Sequence, residues 1–283
     1  ADAMGKEIKG IVATALRPQE PNTDAALDPA ARERLEALGY LSRGGGSSTI
    51  VFDRTKEDAK DLIGFFRTDQ KLSKLAESKK YAEARALCDE MLRIRPGFAD
   101  CHLQMSRMAA EEGNLTAAYE SAKKAVALSP GNEKARLHLA SLLQSRGDLD
   151  GAIAQYREVL KSRPDSLEAR TLLGRALADE GRVDEAVSTL GSAVAAQPES
   201  AMARTQMGFA LARQGKLPEA IESYRKAVAL DPGSADAHAY LGSALATQGN
   251  LDEAIGHFEE ALRARPESAE LHDWLGTALR EKG

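Results

Sequence analysis

Cysteine is nearly absent from this 283-residue chain. Two thiols, Cys88 and Cys101, are too few to build a disulfide framework or, by themselves, a zinc site. Aromatic residues make up only 5%, and no stretch approaches the length of an apolar membrane span. Neither sign of charge dominates: the formal net charge is −5, with acids and bases mixed along the chain. A nucleic-acid binder usually carries a basic stripe, and none is present. Glycine-containing runs such as LGRAL, MGFAL and LGSAL lack the Gly-Lys-Ser/Thr ending and the strand-loop-helix context of a phosphate loop. What remains is a helix-rich chain with no cofactor motif.

A strict period is present in their place. Prolines fall at Pro96, Pro130, Pro164, Pro198, Pro232 and Pro266, each 34 residues after the last. With proline at position 32, the units are 65–98, 99–132, 133–166, 167–200, 201–234 and 235–268, followed by a half-unit, 269–283. Position 8 is small: Ser106, Ala140, Gly174, Gly208, Gly242 and Gly276. Position 20 is alanine from Ala84 to Ala254 in all six full units. Small residues at both places let two helices of one unit approach closely. Position 15 is glycine from Gly113 onward, suited to ending the first helix in the left-handed conformation. The proline stops the second helix. Position 24, filled by Tyr156, Leu190, Tyr224 and Phe258, supplies interior bulk.

From about residue 65 onward the sequence resembles the tetratricopeptide-repeat family, and GNLDEAIGHFEEALRARPESAE (249–270) lies close to that family's consensus. The resemblance implies an all-α, right-handed superhelix, an α-solenoid of antiparallel helix pairs. The chain departs from the family at position 4, where His102, Arg136, Arg170, Arg204, His238 and His272 replace the common tryptophan. The first unit is least regular, with Leu72 at position 8 and Lys79 at position 15, as terminal repeats often are.

Before the array, residues 1–17 place Met4, Ile8, Ile11, Val12, Ala15 and Leu16 on one helical face. Residues 18–54 are expected to form a linker. It contains a short helix near 28–38, opened by Asp28-Pro29 and closed by Gly39, and a Gly/Ser tether at 43–49. Thr55 and Asp58 suit the start of the helix that leads into the array, 55–283. Residues 28–66, with ERLEALGYLS ahead of TKEDAKDLIGFF, resemble the segment that joins sulfatase-like hydrolases to a C-terminal repeat array. That resemblance implies a catalytic domain outside this chain and favours a bacterial extracytoplasmic location over a cytoplasmic one. No catalytic residue carries over, because neither Cys88 nor Cys101 stands in the required C/S-x-P-x-R context.

Metal binding is not expected from the histidines. Equal positions in successive repeats are spread along a solenoid, whereas metal ligands must converge. Adjacent helices bring Cys88 and Cys101 near one another, so a disulfide and two buried thiols both stay open.

In the family, positions 2, 5, 9, 12 and 13 of the first helices line a concave groove that binds protein or peptide. Here the candidate contacts at these positions are Leu103, Arg107, Leu137, Ser141, Thr171, Arg175, Met202, Thr205, Phe209, Arg213 and Ser243. Acids outnumber bases on this surface, and Met202 and Phe209 form an apolar spot. The family's carboxylate clamp is missing, and so is an asparagine ladder: position 6 is Gln104, His138, Leu172, Gln206, Tyr240 and Trp274. The expected function is a non-catalytic interaction scaffold for a polypeptide or neighbouring domain. The alternative is an accessory tail of a sulfatase-like hydrolase. End-to-end self-association is expected through 269–283, where Leu271, Leu275, Ala278 and Leu279 lack a second helix to cover them.

Overall fold

The computed structural model describes residue 68 and residues 71–283. The expected helix over 1–17, the expected linker over 18–54 and the segment 28–66 expected to resemble a sulfatase-linked one lie outside the described residues. Residues 71–77 are helical. Twelve further helices follow among the described residues: α1 (Tyr81–Ile94), α2 (Ala99–Glu111), α3 (Leu115–Leu128), α4 (Glu133–Ser145), α5 (Leu149–Ser162), α6 (Leu167–Asp179), α7 (Val183–Ala196), α8 (Ala201–Arg213), α9 (Leu217–Leu230), α10 (Ala235–Thr247), α11 (Leu251–Ala264) and α12 (Ala269–Lys282). Among the described residues there is no strand. The fold is an all-α solenoid of paired helices. The chain divides into two compact units, Ala1–Pro130 and Gly131–Gly283.

Local chemistry sets where each helix starts and stops. Asn132, Ser166, Ser200, Ser234 and Ser268 each accept a hydrogen bond from the backbone N–H three residues on, capping the first helix of a pair. At the other end Gly215, with φ +82°, closes α8. Its N–H reaches the Ala212 carbonyl at 3.0 Å and the Lys216 N–H reaches the Leu211 carbonyl at 2.9 Å, the paired pattern that satisfies the last helical carbonyls. Lys79 takes the same role in the irregular first repeat, with φ 56° and no glycine.

At Gly174, Gly208 and Gly242 of the second unit the small residue at position 8 is required by what faces it. A Cβ on Gly174 would collide with the Leu190 side chain, and one on Gly208 would lie 2.6 Å from the Tyr224 ring. One on Gly242 would meet Phe258 at 2.8 Å and the Ala254 carbonyl at 3.1 Å. The close partner is therefore chiefly the bulky residue at position 24, with alanine at position 20 contributing its backbone. In the first unit Ser106 occupies position 8 and donates to the Ala118 carbonyl at 2.6 Å, so its hydroxyl is satisfied.

The first unit's core holds Leu72, Cys88, Met91, Phe98, Cys101 and Met108. Both cysteines are free thiols and fully buried. Cys88 donates to the Cys101 carbonyl at 3.7 Å, and the Cys101 thiol contacts the Met91 sulfur at 3.8 Å. They act as small apolar core residues.

In the second unit, successive first helices pack directly on one another: α6 with α8, α8 with α10, and α10 with α12. Second helices do not pack on their counterparts to the same degree. The stack is therefore tighter along the first helices, which form its inner face.

Candidate binding face

The inner face of the Gly131–Gly283 unit is organised around Arg175, at position 9 of α6. Its Nε donates to both carboxylate oxygens of Asp179, one helical turn on, at 3.2 and 3.1 Å. Its Nη1 donates to the Gln206 amide oxygen at 3.2 Å and to the Tyr240 hydroxyl at 2.9 Å. The guanidinium carbon sits 3.8 Å from the centre of the Phe209 ring, within cation–π range. The Phe209 and Tyr240 rings are 5.7 Å apart, and Tyr240 stacks on buried Tyr224 at 5.9 Å. On the other side, Asp179 accepts a hydrogen bond from the Gln144 amide at 2.9 Å, and Gln144 accepts one from the Tyr156 hydroxyl at 3.4 Å.

This chain of contacts runs from α4 through α6 and α8 to α10, across four successive repeats. Burial works against the Arg175 charge, but the Tyr240 hydroxyl and the Asp179 carboxylate outweigh it, and the guanidinium pKa rises above its ordinary value. Burial likewise pushes the Tyr156 phenol up to about 12, with Glu168 adding to the shift. Both groups keep one protonation state through the physiological range. The Arg175 network thus holds its geometry through hydrogen bonds on both sides of the guanidinium.

The expected contact residues separate into two sets. Position 5 does not line the surface: Leu103 is 5% exposed, Leu137 7%, Thr171 1% and Thr205 3%. That position falls on the flank of the first helix where neighbouring helices pack, so these four are structural. Thr205 satisfies its hydroxyl on the Ala201 carbonyl at 2.9 Å, whereas the Thr171 hydroxyl has no partner among the described residues. Ser141, Met202 and Arg213 are exposed on the inner face of the second unit, and Arg175, Phe209 and Ser243 are half-buried there. Arg107 is exposed on α2, in the other unit.

Phe209 is not an open apolar spot with Met202, because Arg175 covers its ring. Met202, 55% exposed, is the accessible apolar group. Two members of the network, Gln206 and Tyr240, stand at position 6 and are absent from the expected contacts. Position 6 is also polar at Gln104 and His138, so no sequence signal singles out these two.

The position-4 residues have a framework role. Arg204 Nε donates to the Pro198 carbonyl at 2.8 Å, Arg170 donates to the Pro164 carbonyl, and His272 Nε2 donates to the Pro266 carbonyl at 2.8 Å. His238 Nε2 donates to the Pro232 carbonyl at 3.1 Å. Each ties a first helix to the proline turn before it. Because the His238 proton is on Nε2, its Nδ1 accepts from His257 Nδ1–H at 3.0 Å. Among the described residues no group of three or more His, Cys, Asp or Glu is placed to hold a metal ion. No helix among them is long and apolar enough to cross a membrane.

The fold and this face define an α-solenoid with a pre-ordered inner surface. The sequence matches the tetratricopeptide-repeat family over 109–155, 143–206, 205–269 and 247–283, which together run from residue 109 to residue 283. The chain belongs to the tetratricopeptide-repeat family. No curated protein matches it. Among solved structures it is similar to TTC0263, a thermophilic tetratricopeptide-repeat protein of Thermus thermophilus. The TM-score is 0.58 at 23% identity, covering 64% of this chain and 98% of that one. It is also similar to PilW, described as a widely conserved type IV pilus biogenesis factor, with TM-score 0.64 at 19% identity, covering 77% and 100%. A third similarity is to the Cut9–Hcn1 hetero-tetramer of APC/C, with TM-score 0.65 at 19% identity, covering 75% of this chain and 42% of that one. At these identities the likeness is one of fold.

Proposed function

We propose that the chain is a non-catalytic scaffold that holds a polypeptide partner against the inner face of its Gly131–Gly283 unit. The observation that supports this is the side-chain network from Gln144 to Tyr240, which fixes the surface of four first helices before any partner arrives. A surface already ordered loses little conformational entropy on binding. Exposed Met202 offers an apolar contact beside it. A photo-crosslinking residue at Met202, compared with one at exposed Lys226 on second helix α9, tests the reading. Crosslinks to a polypeptide from position 202 and none from 226 are expected. The reverse pattern moves the site to the second helices.

The resemblance of residues 28–66 to the sulfatase-linked segment supports a second reading, in which the scaffold serves a hydrolase domain. The intact mass of the native polypeptide carrying these repeats distinguishes the two. A species much larger than this chain, containing a C/S-x-P-x-R motif, favours the second reading.

Residues 269–283 are proposed to carry end-to-end association. Contrary to the sequence expectation, Leu271 and Ala278 are buried in the core; of the four residues expected to be uncovered, Leu279 is 50% exposed, and a Cβ on Gly276 meets nothing within 4 Å. Sedimentation should show mass rising with concentration, and Leu279→Glu should abolish the rise.

A further inference from the structure

One pair of side chains in the second unit carries chemistry that its place in the framework does not require. His238, at position 4 of α10, and His257, at position 23 of α11, bring their Nδ1 atoms to 3.0 Å. Elsewhere residues at the same two positions tie a helix pair together with ordinary groups. Arg136 Nη1 donates to the Gln155 amide oxygen at 2.9 Å, and the Ser223 hydroxyl donates to the Arg204 carbonyl at 3.0 Å. A tie at this junction needs no imidazole, and here it has two.

The far nitrogen of each ring faces an acceptor. His238 Nε2 donates to the Pro232 carbonyl at 3.1 Å, and His257 Nε2 lies 3.8 Å from the Glu253 carboxylate. That carboxylate also accepts from Arg225 at 2.8 and 3.0 Å, so the Arg225 charge is balanced. A carbonyl or carboxylate behind one ring nitrogen orients an imidazole to give its other nitrogen to a metal ion. A neutral His257 satisfies only one of its two neighbours. With its proton on Nδ1 it bonds to His238, but its Nε2 lone pair then faces a carboxylate. With its proton on Nε2 it faces Glu253 correctly, but two Nδ1 lone pairs then meet at 3.0 Å. A cation shared by the two Nδ1 atoms removes both conflicts.

The geometry points to a site for a divalent transition-metal ion held by His238 Nδ1 and His257 Nδ1, with copper(II) the preferred ion. Binding moves the His257 proton from Nδ1 to Nε2, toward Glu253, so no net proton is released. Two nitrogens 3.0 Å apart, each about 2.0–2.1 Å from one ion, subtend roughly 95° at it. That is near the right angle of a square-planar ion, and imidazole ligands in this geometry favour copper(II) over zinc. The His257 side chain keeps 20% of its exposure, so water completes the coordination from the solvent side. Two protein ligands make an open, exchangeable site rather than a closed structural one. The site uses no residue of the Arg175 network and stands apart from the inner-face reading.

The test titrates the full chain at pH 7.5 with copper(II) supplied as its glycine complex, which retains loosely bound copper. One equivalent should bind and raise the thermal midpoint, because the ion joins α10 to α11 in the folded chain alone. Electron paramagnetic resonance should report two imidazole nitrogens on the ion. His257→Gln keeps a donor toward His238 but removes one ligand, and should weaken binding by about tenfold or more. His238→Gln, made separately, should weaken it likewise, so the result does not depend on how one variant folds. His272→Gln, which changes an exposed position-4 imidazole, should leave binding unchanged. Copper held equally well by the original chain and by His257→Gln would overturn the proposal, and so would the binding of no copper.

Discussion

Gly208 and Tyr224 face each other across a helix pair with no room for a methyl group between them, the ring lying 2.6 Å from where a Cβ would stand. Gly276 occupies the same repeat position with nothing near it. Alanine should therefore have opposite effects at the two sites. Gly208→Ala should lower stability by about 1–3 kcal/mol through overpacking. Gly276→Ala should raise it by up to about 1 kcal/mol through helix propensity. Urea unfolding midpoints of the two variants check the contrast.

Thr171 and Thr205 make a second matched pair. Both are buried at position 5, but only Thr205 has a partner for its hydroxyl among the described residues. Thr171→Val should stabilise by about 1 kcal/mol, because a buried hydroxyl without a partner is removed at nearly constant shape. Thr205→Val forfeits the bond to the Ala201 carbonyl and should bring no gain. Equal gains in the two variants would contradict this account.

The His238–His257 contact predicts a pH dependence. Burial first, and then His238, hold the His257 pKa below its ordinary value. Glu253 and Glu260 oppose that shift, while Arg225 adds to it. A pKa lowered in the folded state means the unfolded chain takes up the proton first as pH falls. The pair's contribution is complete above about pH 6.5 and is lost as pH falls through the lowered value. Protonation would also set N–H against N–H at 3.0 Å. His257→Gln can still donate to His238 and does not titrate. Between pH 7.5 and pH 5.0 the thermal midpoint of the original protein should fall by about 2–4 °C more than that of the variant.

Arg175 and Phe209 should be energetically coupled. In a double-mutant cycle with Arg175→Gln and Phe209→Leu, the coupling energy should be about 0.5–2 kcal/mol. Strict additivity of the two changes would mean that the 3.8 Å stacking contributes nothing to stability.

Much of the fold was legible because a repeat displays the same constraint several times. The prolines, the position-15 glycines and the small residues at position 8 each announce one local backbone need, so sequence spacing alone reveals helix pairs. The facing bulk was partly misassigned: alanine at position 20 is invariant within the chain, yet Leu190, Tyr224 and Phe258 at position 24 set the close approach. The binding face was harder. Position 5 looks like surface on an isolated helix, and Leu137 and Thr205 become buried only when helices stack. The partners Arg175 and Tyr240 are 65 residues apart, and no local pattern couples them. Tyr240 stood out only as a failure of the asparagine ladder, not as a ligand of an arginine two repeats earlier.

That Arg175–Tyr240 bond has a mechanical consequence. A stack in which every element touches only its neighbours stretches like a uniform spring, each coil yielding under load independently of those beyond its neighbours. A bond that skips a coil stiffens three coils into one segment. When the two ends of the Gly131–Gly283 unit are pulled, extension concentrates away from α6, α8 and α10, and those helices keep their curvature while the rest gives way.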